Sequence, residues 1–92
     1  MLKIDIWTEA QDFLETLIAK QQRQISAKLF FLAENPMPPS SKLLKDYAPL
    51  RRYRSGTYRI IYFVEKGILR IPLIDKRGDD KIYRLVTRKF KK

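Results

Sequence analysis

The hydrophobic period of this chain changes once, at a proline-rich loop. Before residue 36 apolar residues recur at helical spacing. Ala10, Phe13, Leu14, Leu17 and Ile18 form one stripe; Ile25, Leu29 and Leu32 form a second, widened by Phe30, Phe31 and Ala33. Thr8 to Gln11 reads as a capping box for the first helix. The polar stretch Lys20-Gln21-Gln22-Arg23 separates the two, and Asn35-Pro36 stops the second, because the residue before proline avoids the helical region. After the loop PMPPSS (residues 36–41) the period falls to two. Arg51 to Ser55, Thr57 to Val64 and Ile68 to Asp75 read as strands, with turns at Ser55-Gly56 and Glu65-Lys66-Gly67. Leu2, Ile4 and Ile6 alternate with Lys3 and Asp5 as a strand ahead of the helices. Pro72 removes a ladder donor and predicts an edge or a bulge. Tyr83 to Phe90 fits a last strand or a short helix. The expected fold is α+β: an N-terminal strand, a two-helix hairpin on one face, an antiparallel sheet and a short C-terminal element, in one domain spanning 1–92.

Composition removes several function classes. With no cysteine, disulfides and thiolate metal sites are excluded, and a reducing cytoplasm is the expected location. With no histidine, the commonest metal ligand and general base is missing, so any catalysis must run on Arg, Lys, Tyr and carboxylates; neither a metal nor a cofactor is expected. The sequence holds no apolar run long enough to span a membrane, and Asp5 interrupts any signal-peptide core.

The net charge of +10 is unevenly placed. Residues 1–46 balance six basic against six acidic groups, whereas residues 47–92 carry 14 basic against four acidic ones. Such an asymmetry is the electrostatic footprint of a polyanion-binding face and points to nucleic acid. Its densest part is RRYRSGTYRIIY, residues 51–62, and residues 47–64 contain no Asp or Glu. With helices covering one face of the sheet, Arg52, Arg54 and Arg59 are expected to project from the other. Arginine suits phosphate because its planar fork donates two parallel hydrogen bonds and keeps its charge. Neighbouring tyrosines offer a stacking plane and a phenol. A solvated sheet face with cross-strand cation–π pairs is the competing reading. Lys76-Arg77 after the third run, with Tyr83 six residues on, likewise fits either a strand-end charge cluster with an anchoring aromatic or an extension of the basic site.

The hairpin Leu50-Arg51-Arg52-Tyr53-Arg54-Ser55-Gly56-Thr57-Tyr58-Arg59-Ile60-Ile61-Tyr62 and the Lys76-Arg77 to Tyr83 spacing resemble the RelE/ParE superfamily of bacterial toxins, and more closely its RelE-like branch of mRNA interferases. Element order and size agree, so the resemblance covers nearly the whole chain. It implies the toxin of a type II toxin–antitoxin pair, an endoribonuclease that cuts mRNA in the ribosomal decoding site without metal and stops translation. It implies an acidic antitoxin as partner. By residue, it implies Arg59 and Arg77 as the catalytic arginines and Tyr83 as the tyrosine that stacks on the substrate or helps activate it. Arg52, Arg54, Lys45 and Lys76 are the remaining expected RNA contacts. Leu50 and Arg52 stand where RelE carries two lysines, and there is no histidine near Arg77. Arginine cannot serve as a base, so that role is unassigned; Tyr83, its phenol lowered by positive neighbours, is one candidate. A ParE-like gyrase inhibitor and a non-catalytic RNA- or ribosome-binding module are the alternatives.

Overall fold

A computed structural model of the chain describes residues 1–76 and 78–90. The elements follow the order β1 (Lys3–Ile6), α1 (Thr8–Glu15), α2 (Ala19–Glu34), β2 (Ser41–Leu43), β3 (Arg51–Ser55), β4 (Tyr58–Glu65), β5 (Ile68–Asp75) and α3 (Asp79–Lys89). The five strands form one sheet in the order β1-β5-β4-β3-β2. β2 to β5 pair antiparallel, but β1 lies parallel to β5, with Asp5 in register with Arg70. The sheet is therefore mixed. The two-helix crossover carries the chain from β1 across a face of the sheet before it returns, and that arrangement permits a parallel pair.

The alternation places a different core on each face. On one side Ala10 and Leu14 of α1 and Ile25, Leu29, Leu32 and Ala33 of α2 pack on Tyr53, Tyr58, Ile60, Tyr62, Leu69, Ile71 and Ile74. On the other, Ile82 and Val86 of α3 pack on Leu44, Leu50, Ile61 and Leu73. The C-terminal element is thus a helix, and it covers part of the face that the sequence reading leaves open. Gln22 ties the two N-terminal helices together by donating its side-chain amide to the Leu14 carbonyl at 2.8 Å.

Two local expectations change. No side chain caps α1: Trp7 holds the cap position, and the Gln11 side chain turns outward to Glu15 at 3.3 Å. Phe30 and Phe31 do not join the core; they are 54% and 42% exposed, and Phe31 rests against the Tyr53 ring. Strand β2 is too short to announce itself by alternation. Pro72 does sit at a register shift, because Ile61 pairs with Leu73 while Phe63 pairs with Arg70. That extra residue reverses the parity of β5, so Leu69 and Ile71 face α1 and α2 while Leu73 and Asp75 face α3.

Candidate nucleic-acid interface

The β3–β4 hairpin turns through Gly56 and Thr57, with Ser55 in register with Tyr58. Gly56 adopts φ 62°, the left-handed region that a tight two-residue hairpin demands. The register then fixes which side chains share a face. Arg51 and Tyr53 point toward the N-terminal helices, and Arg51 donates to the Ser41 hydroxyl from Nε and Nη2 at 3.1 and 3.0 Å. Arg52 and Arg54 point toward the α3 side, as do Arg59 and Ile61 of β4.

Two rows cross the sheet on that side. One runs Lys42, Arg52, Ile61, Leu73; the other runs Arg54, Arg59, Asp75. Lys42, unremarked in the sequence, enters the site only because β2 pairs with β3. The second row corrects an expectation. No carboxylate lies near Arg59 in sequence, yet the ladder places Asp75 directly across from it, so the sheet arginines are not without a counter-charge. Arg52, Arg54, Arg59 and Asp75 all make interactions within the fold. Arg70 belongs to the architecture, bridging Asp5 at 2.7 Å and Glu65 at 3.3 Å.

The hairpin tyrosines are not stacking planes. Tyr53, Tyr58 and Tyr62 are buried beneath α1 and α2, and Tyr62 donates its hydroxyl to the Pro36 carbonyl at 2.7 Å. Alternation carries them to the face opposite Arg52 and Arg54.

Tyr83 lies one turn into α3, half-buried on the arginine side of the sheet. Its ring meets Tyr47 edge-on at 5.6 Å and 78°. Its hydroxyl donates to the Lys45 carbonyl, so Lys45 touches the site through its backbone while its side chain is exposed. The phenol is held above its ordinary value by desolvation, the Asp46 carboxylate and Tyr47. This is opposite to the lowering expected from positive neighbours: the near residues are an acid and a second phenol, and a donor to a carbonyl keeps its proton. Tyr83 is here a neutral hydrogen-bond donor.

Lys76 is exposed just past β5, its backbone N–H bonded to Asp75 Oδ1 at 2.7 Å. Arg77 lies outside the described residues. The structure thus brings Arg52, Arg54, Arg59 and Tyr83 to one side of the sheet. Among the described residues, no group of three or more potential acidic metal ligands comes together, and no helix is long and apolar enough to cross a membrane.

No protein-family model and no curated protein matches the sequence. Solved structures do match the fold. The isolated RelE toxin of E. coli superposes with a TM-score of 0.73 at 18% identity, covering 98% of this chain and 99% of that one. The RelBE2 toxin–antitoxin complex from Mycobacterium tuberculosis gives 0.72 at 24% identity, covering 83% of this chain and 98% of that one. The archaeal RelE–RelB complex from Pyrococcus horikoshii gives 0.72 at 24% identity, covering 85% and 97%. At these identities the likeness is one of fold, and the fold is that of RelE toxins.

Proposed function

We propose that this protein is the toxin of a type II toxin–antitoxin pair and a ribosome-dependent endoribonuclease that cleaves mRNA through the substrate's own 2′-hydroxyl. The observation that carries the reading is the convergence of Arg52, Arg54 and Arg59 with Tyr83 on one side of a RelE-type sheet. Several structures of this fold are complexes of a toxin with its antitoxin, which supports an antitoxin as this chain's partner; the net charge of +10 makes an acidic one the better match.

In the reaction the 2′-oxygen bonds to phosphorus as the bond from phosphorus to the 5′-oxygen breaks, leaving a 2′,3′-cyclic phosphate and a 5′-hydroxyl. The 2′-proton is lost and the 5′-oxygen gains one. Positioning and charge stabilisation supply most of the rate, so the chain needs no metal of its own. Arg59 holds the scissile phosphate and balances the charge that grows on its oxygens. Arg77 serves the leaving side, and Tyr83 orders a flanking base. Arg52, Arg54, Lys45 and Lys76 complete the backbone contacts. The ribosome arranges the substrate, which accounts for a site without a conventional base.

The engaged, neutral Tyr83 favours a second reading, a non-catalytic module that blocks translation by binding. Inducing the gene and mapping message ends by primer extension, with and without ongoing translation, separates the two. Cleavage expects new ends in translated messages only. Growth arrest without new ends overturns it.

A further inference from the structure

We propose that the solvent face of α3 is a second RNA-backbone contact, distinct from the sheet arginines. It rests on the RNA-handling reading above and assigns that handling a further surface. Lys81, Arg84 and Arg88 follow one another at i, i+3 and i+7, so they lie on one helix face, opposite the buried Ile82 and Val86. All three are exposed. They span about 10 Å along the axis, enough to meet successive phosphates of an RNA backbone.

What separates these cations from the arginines of the sheet and from Lys89 is engagement. Arg51 is bound to Ser41, Arg70 to Asp5 and Glu65, and Lys89 to Glu9 at 3.1 Å with its ammonium over the Trp7 ring. Arg52, Arg54 and Arg59 interact within the fold. Lys81, Arg84 and Arg88 have neither an ion pair nor a side-chain hydrogen bond among the described residues. Two shallow depressions adjoin them. One, of about 490 Å³, is lined by Gly78, Asp80, Lys81 and Arg84; the other, of about 130 Å³, by Lys81, Arg84, Leu85 and Arg88. Asp80 sits at the start of the helix, so positive potential builds away from it toward Arg88. Leu85 is half-buried, so among these residues the face is built of charge rather than of exposed apolar side chains. A phosphate backbone requires only charge and fork geometry.

The test measures affinity of the full chain for a short unstructured single-stranded RNA across a salt series, with no cleavage needed. The Lys81→Glu, Arg84→Glu, Arg88→Glu triple variant is expected to bind about 10- to 100-fold more weakly near physiological salt. Its slope of log affinity against log salt should be shallower by about 2, from three lost contacts at about 0.7 each. A charge-matched triple variant on α2 (Lys20→Glu, Arg23→Glu, Lys28→Glu) should lose distinctly less, and circular dichroism should show both folded. The matching triple with Gln in place of Glu, which adds no acidic charge, should give the same direction of change with a smaller loss. Unchanged affinity and slope in the α3 variant, an equal loss in the α2 variant, or a wild-type chain that does not bind RNA overturns the proposal. Retained RNA binding with weakened capture of an acidic protein segment assigns the face to a protein and also overturns it. If the α3 loss appears and no cleavage is ever found, the nuclease reading fails and this contact stands.

Discussion

Arg59 stands across the β4–β5 ladder from Asp75 and across the β3–β4 ladder from Arg54. A like charge on one side is balanced by an opposite charge on the other, so the row holds two guanidinium groups at close quarters at modest cost. The same carboxylate competes with any incoming phosphate. Replacing Asp75 with Asn is expected to tighten RNA binding by up to about fivefold, the equivalent of about 0.2–1 kcal/mol for a cross-strand pair, while slightly lowering the melting temperature. Fluorescence anisotropy and thermal unfolding on the same preparation check both.

Arg59→Ala and Arg77→Ala are each expected to lower cleavage of a translated message by about 10²- to 10³-fold, the usual cost of removing one donor aimed at developing charge. Single-turnover assays on programmed ribosomes measure it. Undiminished cleavage in either variant removes that arginine from the mechanism.

Tyr83 carries a pH signature. Its phenol sits above the ordinary value, so the folded state holds this proton more tightly than the unfolded chain does. The resulting stability is fully present below the unfolded tyrosine value of about 10 and is lost as pH rises through the folded one. Stability curves of wild type and Tyr83→Phe are therefore expected to run parallel near neutrality and converge in the alkaline range. Convergence in acid instead contradicts the assignment.

The seating of α3 depends on Ile82 and Val86, 1% and 0% exposed. Ile82→Ala is expected to cost about 2–5 kcal/mol. Amide exchange should quicken first along α3, since the core under α1 and α2 is a separate cluster.

Tyr62→Phe tests the placement of the hairpin tyrosines. It removes the hydrogen bond to the Pro36 carbonyl and is expected to cost about 0.5–1.5 kcal/mol in urea unfolding. Cleavage and RNA affinity should be unchanged, because the side chain faces away from the arginines.

Much of this was legible in the residues. The stripe from Ala10 to Leu17, the bounds of β3 and β5 and the bulge at Pro72 all follow from period and proline chemistry. The end of the chain was less so: a segment such as Tyr83 to Phe90 alternates well enough for a strand and repeats well enough for a helix. Tertiary packing against Leu50 and Ile61 selects the helix. Phe30 and Phe31 show the opposite failure, apolar residues beside a stripe that the helix leaves facing water.

Spacing along the chain determined which side chains alternate, where the period breaks, and that the positive charge gathers in the second half. Those are local properties, set by backbone geometry and composition. Which charges meet was decided only by folding. A strand's register couples residues sixteen positions apart, as Arg59 and Asp75 are, and no local pattern specifies that distance. The same holds for Tyr83, whose phenol answers first to desolvation and then to Asp46 and Tyr47 on a loop far from it in sequence.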